Sequence, residues 1–232
     1  MSSRPTSLTL VHRALLIISA AAVYAVNFWP SRQVTNAGLI ALGRPEYAGF
    51  KGMFLPHLLL YSTLTACVAA LLWFTFVLAR ILPAPRLGSP TARQISAGVV
   101  GGIVALIATV VFVYVLFPPN TIHWIDPVAW KIAGNVFSNF YEEFVYRGFV
   151  LAALGAAIGF WPAAIISSAM WSYTHSQYPL SLQALILAVG VYFSWLMRKA
   201  QSLWTPYVSH MRESTYYHLS SGPSSIVTTC KR

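Results

Sequence analysis

The chain has 232 residues, 57% of them hydrophobic and only 9% charged, with a mean hydropathy of +0.63. Soluble domains carry about 25% charged residues, so this composition excludes an ordinary soluble domain and predicts an all-α, polytopic transmembrane helical bundle. The net charge of +10 comes from 15 Lys and Arg against 5 Asp and Glu, but the cations sit at helix flanks and in loops without a dense basic run, which argues against nucleic acid and for anionic membrane lipids as the partner.

In chain order, residues 8–29 form the first expected span, with Arg4 and Arg13 on its amino side. Further apolar spans follow, so it reads as an uncleaved signal-anchor. Residues 31–52, holding Arg32, Arg44, Glu46 and Lys51, read as a polar loop. Residues 53–82 are a long second span whose Pro56 and His57 mark an interfacial start. The Pro-rich stretch 83–90 is a linker. Residues 95–117 are the third span, stopped by Pro118-Pro119, and its Gly98, Gly101 and Gly102 allow close approach of a neighbouring helix. Residues 1–120 are thus an N-terminal unit of three spans.

Beyond Pro118 the character changes. Residues 127–154, 161–175, 182–197 and 203–219 predict helices that are shorter or more polar than lipid-facing spans, as in a bundle around a cavity. The whole chain then carries about 6–8 membrane helices, given about 20 residues per crossing. Residues 121–219 form this second unit, and 220–232 a polar tail. Arg80, Arg86, Arg93 and Arg198-Lys199 favour the cytoplasmic side, while the three cations of the first loop count the other way. Cys67 and Cys230 belong to no disulfide framework or CxxC pattern.

Two of the five acidic residues are adjacent, Glu142-Glu143, with Arg147 four residues beyond. A charge near the bilayer centre costs about 2.5–3.5 kcal/mol on insertion scales. Three of them together are tolerable only if they face a protein interior or a wet cavity and pair with one another. On an α-helix Glu143 and Arg147 stand in the favourable order for an ion pair. Glu142 lies about 100° around the helix, on a face with Asn135, Ser138 or Asn139, and Tyr146. Two carboxylates in unequal surroundings suit acid–base chemistry; a stabilising ion pair at the membrane surface is the plainer alternative. His175, four residues after Trp171, and His210 sit on later helices. Each alone is an ordinary hydrogen-bonded histidine, but converging with the glutamates they would make a hydrolytic site.

The ordered set Glu142-Glu143-x-x-x-Arg147, Trp171-x-x-x-His175 and His210 resembles the three motifs of the CPBP family, the CAAX-prenyl-protease-like and bacteriocin-processing intramembrane glutamic endopeptidases. The resemblance covers residues 128–215. It implies a conical catalytic cavity in the C-terminal half and peptide-bond hydrolysis by a water activated by Glu142 with His175. Glu143 and Arg147 would orient that base, and His210 would stabilise the oxyanion, with no metal and no cofactor. The implied substrate is a hydrophobic or lipid-modified peptide or protein, prenylated, leader-bearing or sorting-tagged, in a bacterial-type inner membrane. Trp171, Tyr173, Tyr178, Tyr146 and Phe149 would line its groove, or simply pack the helices. The sequence departs from the family at Ser214, where Asn or Asp follows the last histidine by four residues. Two other readings use the same side chains: a zinc protease with Glu142, His175 and His210 as ligands, and a proton-coupled transporter or immunity or scaffold protein on the same fold.

Overall fold

A computed structural model describes residues 8–28, 30–41, 43, 55–85, 87–116, 129–176 and 178–214, and among them all regular structure is helical. Helix α1 (Leu10–Phe28) is followed by α2 (Pro30–Ala41), α3 (Leu55–Leu78) and α4 (Ala92–Leu116). A continuous helix then runs through α5 (Ala129–Glu142), a π-helical segment (Glu143–Val150) and α6 (Leu151–Ile158). Helices α7 (Phe160–Tyr173), α8 (Leu180–Ala200) and α9 (Trp204–Ser214) complete the bundle.

Among the described residues, three helices are long and apolar enough to cross a membrane: Leu10–Phe28, Ala92–Val115 and Leu180–Ala200. Among the described residues Ser62–Leu78 of α3 is a further, shorter apolar helix. Helix α7 has 14 residues; at 1.5 Å per residue it falls short of a hydrocarbon core of about 30 Å. The expected loop at 31–52 is helical in its first part, a correction with a local cause. Pro30 occupies the first position of α2, where its missing N–H costs nothing. The helix ends at Ala41, and just beyond it Gly43, with φ of 71° and an N–H bond to Ile40 O (3.0 Å), forms a left-handed stop. The connection at 118–126, Cys230 and the tail lie outside the described residues.

Small residues set the closest helix contact. A Cβ on Gly98 would lie 2.8 Å from the Thr205 carbonyl oxygen, and one on Gly101 would lie 2.9 Å from Ser209 Oγ. That proximity lets Ser209 Oγ donate to Gly98 O (2.8 Å) and Thr205 Oγ1 to Gln94 O (3.2 Å), fixing α9 on α4. The main core joins α1, α3, the π segment, α6 and α7 through buried Leu16, Val23, Trp73, Val145, Phe149 and Ala164. A smaller apolar cluster, Ala105, Val189, Phe193 and Leu196, joins α4 to α8.

The helix ends are sorted by charge. Gln94 Nε2 donates to Ala200 O (3.1 Å) and Trp204 Nε1 to Gly88 O (2.8 Å), so the start of α4 meets the end of α8. The Arg198 guanidinium lies 4.4 Å from the Phe160 ring, bringing in the α6–α7 turn. At the other end, Phe28 meets Tyr173 with ring centroids 5.6 Å apart, so α1 begins on the Arg198 side. Exposed Arg13, Arg80, Arg93, Arg198 and Lys199 therefore share one end of the bundle.

Candidate active site

The acidic pair sits where the helix changes pitch. Glu142 closes α5 and Glu143 opens the π segment, with ordinary helical backbone angles at both junctions (Glu142 φ −63°, ψ −45°; Leu151 φ −63°, ψ −39°). A π turn closes i→i+5 bonds, is wider than an α turn, and recurs at functional sites. Every residue of Glu143–Val150 is buried, so this widened turn lies in the middle of the bundle. Gly148 gives it room, since a Cβ there would come 2.9 Å from the Trp73 ring.

Glu143 and Arg147, both with no exposed surface, approach to 3.5 Å between Oε1 and Nη1. The same Oε1 lies 3.0 Å from His210 Nδ1. An ionised carboxylate only accepts, so Nδ1 carries the hydrogen and donates, leaving Nε2 as the variable nitrogen. That Nε2 stands 4.0 Å from Glu142 Oε2. Such a separation is too long for a direct hydrogen bond, and a water about 2.8 Å from both atoms would bridge them from one side of the line between them. Glu142 also accepts a 2.5 Å hydrogen bond from Trp171 Nε1.

Trp171 is the hub that sequence reasoning undervalued. Its N–H holds Glu142, its ring lies 4.0 Å beneath the Arg147 guanidinium carbon, and its edge meets His210 at 5.2 Å between centroids. A buried indole needs a hydrogen-bond acceptor, and a half-buried carboxylate is an acceptor only; those two demands were the available signal. The Gly190 surface of α8 gives Arg147 its space, since a Cβ there would lie 2.9 Å from Nη2 and 2.8 Å from Ser168 Cβ.

The structure brings Glu142, Glu143, Arg147 and His210 together, and His175 joins through Trp171 alone. His175 Nδ1 lies 3.0 Å from Trp171 O and 3.1 Å from Thr174 Oγ1, and its ring stacks on Tyr178 at 6.2 Å. The Trp171 carbonyl is an acceptor, so Nδ1 bears the hydrogen and Nε2 is left as an acceptor. Among the described residues His175 touches neither carboxylate. The Ser214 side chain and that of Asn135 lie outside the described residues, so the polar stripe is seen from Ser138 onward, with Asn139 buried. No three His, Cys, Asp or Glu side chains among the described residues converge as a metal-ligand set.

Sequence reasoning also missed Asn27. This buried residue of α1 donates from Nδ2 to Tyr146 OH (3.1 Å) and accepts from Tyr141 OH. The first helix thereby ties down the acidic turn on both sides of Glu142-Glu143. Of the aromatic side chains expected at a groove, Tyr146, Phe149 and Trp171 are buried, Tyr178 is half-buried and Tyr173 is exposed. A cavity of about 400 Å³ opens on the other side of the π segment, lined by Trp73, Pro83, Gly148, Leu151, Gly155 and Arg198 among others. None of the five candidate residues lines it.

Fold and site together define a helical membrane protein with a buried acid–base cluster built on a π turn. Residues 124–213 match the family model described as Rce1-like, Type II CAAX prenyl endopeptidase Rce1-like. That match, over 90 of the 232 residues, makes the segment similar to CAAX-type endopeptidases and supports the resemblance to the CPBP family. The matched segment holds the π turn, Trp171, His175 and His210, while α1, α3 and α4 precede it. No curated protein and no solved structure matches the chain.

Proposed function

We propose that the protein is a multi-pass intramembrane glutamic-type endopeptidase that hydrolyses a peptide bond in a hydrophobic or lipid-modified, membrane-associated peptide or protein. The observation that carries this reading is the 4.0 Å gap between Glu142 Oε2 and His210 Nε2, each group held from behind. Trp171 N–H fixes the carboxylate and Glu143 fixes the imidazole. A water bridging the two groups from beside that gap loses a proton to Glu142 while its oxygen attacks the substrate carbonyl carbon. The C–N bond then breaks, the proton passes to the departing amine, and the new carboxylate leaves. In this scheme His210, donating from Nε2 when protonated, stabilises the oxyanion.

His175 is the second proton carrier in this scheme, with Nε2 as its working nitrogen. Glu143 and Arg147 position the base and the imidazole without touching substrate. Exclusion of bulk water by the surrounding helices strengthens each of these charges. The charged end of the bundle faces the cytoplasm by the positive-inside rule, in a membrane of the bacterial inner-membrane type.

The test is comparative mass spectrometry of membrane-associated peptides from cells carrying wild type or Glu142→Gln. The expected result is a set of new peptide termini that require Glu142 and that His210→Ala and His175→Ala each reduce. If no terminus depends on Glu142, the endopeptidase assignment fails and proton-coupled transport or scaffolding is the reading that remains.

A further inference from the structure

The cavity beside the π segment has a use that the hydrolytic site does not require. Its walls come from Trp73 of α3, Pro83, Ala84, Pro85 and Leu87, Gly148, Leu151 and Gly155 of the central helix, and the α8–α9 turn. The lining is mostly apolar and includes no carboxylate, and its charged member is Arg198. At about 400 Å³ it falls in the range of ligand sites, roughly 300–1,000 Å³.

The position selects the occupant. The spans Ala92–Val115 and Leu180–Ala200 begin and end here, joined by Gln94 to Ala200 O at 3.1 Å. The mouth is therefore at headgroup depth while the cavity reaches toward the acyl region. Exposed Arg80, Arg93, Arg198 and Lys199 stand at this end of the bundle, and residues 79–94 and 196–204 of the sequence contain no Asp or Glu. A cationic rim over an apolar recess complements an amphiphile with an anionic head and a hydrocarbon tail. The scissile bond of a substrate would have to reach Glu142, whereas this recess is walled from the carboxylates by the π segment itself. That separation favours a resident lipid over substrate.

We propose that this cavity binds an anionic phospholipid of the surrounding bilayer, its acyl chain among Trp73, Leu151 and Gly155 and its headgroup on Arg198 and Lys199. Gly155 supplies a clean probe, because a Cβ there meets nothing within 4 Å and a larger side chain would fill the recess without disturbing the helix. Arg198 and Lys199 are exposed, so their replacement tests the headgroup contact independently of packing.

The experiment reconstitutes the full chain in vesicles of equal phosphatidylglycerol and phosphatidylcholine, extracts it gently, and counts retained lipids by native mass spectrometry. Wild type is expected to retain phosphatidylglycerol in preference to phosphatidylcholine. Gly155→Leu should lower retention of both severalfold. Arg198→Gln with Lys199→Gln should erode the preference by about fivefold per cation removed. Equal retention of the two lipids by wild type, or retention unchanged by Gly155→Leu, overturns the proposal. So does displacement of phosphatidylglycerol by a farnesylated peptide that Glu142-dependent cleavage then consumes, which would make the cavity part of the substrate path.

Discussion

Trp171→Phe asks whether the tryptophan holds the glutamate. The substitution keeps an aromatic ring beneath Arg147, 4.0 Å away in the native protein, and removes the N–H that donates to Glu142 at 2.5 Å. Trp171 is 3% exposed, so water does not replace that donor readily. A hydrogen bond to a charged group contributes about 1.5–3 kcal/mol. The single variant also loses packing volume and part of the cation–π contact, so its total destabilisation does not isolate the bond. A double-mutant cycle with Glu142→Leu does, measured by reversible unfolding in detergent or bicelles. The expected coupling is about 1.5–3 kcal/mol. If the two substitutions add within about 0.5 kcal/mol, the bond contributes nothing and the hub assignment is wrong. If the lost orientation appears in the chemical barrier, peptide cleavage by Trp171→Phe falls roughly 10- to 150-fold at 1.36 kcal/mol per tenfold.

The other expectations concern how the cluster is seated. Arg147→Met leaves the fully buried Glu143 without its guanidinium, and unfolding measurements should show a loss of about 3–5 kcal/mol; Arg147→Lys should recover only part of it, because an ammonium restores the charge but cannot lay a plane on Trp171. Gly190→Ala places a Cβ 2.8 Å from Ser168 Cβ and 2.9 Å from Arg147 Nη2, an overpacking of about 1–3 kcal/mol, and adding Ser168→Gly should recover part of it in the same melt. Asn27→Leu removes the bonds to Tyr146 and Tyr141 and should cost about 1–3 kcal/mol through the buried groups left behind; unchanged stability would mean α1 does not anchor the acidic turn.

The alternation of long apolar runs with Pro- and Gly-rich breaks was enough to read a helical bundle, because a bilayer core demands internally hydrogen-bonded helices. Gly98 and Gly101 also announced a close neighbour, and α9 fills that place. Three features were not legible. The helix at Pro30–Ala41 was hidden by its polar composition, with Pro30 the overlooked start signal. Asn27 looked like the tail of an apolar span, and its partners lie 114 and 119 residues away. The π segment left no periodic mark, since Glu143 and Arg147 meet in a π turn much as they would in an α turn.

That last point changes what the adjacent glutamates mean. Neighbours on one helix cannot share a direction, so a site built from both needs partners on two sides. Trp171 of α7 receives Glu142, and His210 of α9 receives Glu143. His210 then returns its other nitrogen toward Glu142, closing a loop through two helices rather than along one. The loop depends on α9 lying against α4, which Gly98 and Ser209 hold at 2.8 Å, and on a widened turn that clears Trp73 at Gly148. Residues before the matched family segment therefore set the geometry of the site inside it. A shift of α9 by a fraction of an ångström would open the Glu143–His210 bond first, leaving Glu142 in place but without the imidazole opposite it.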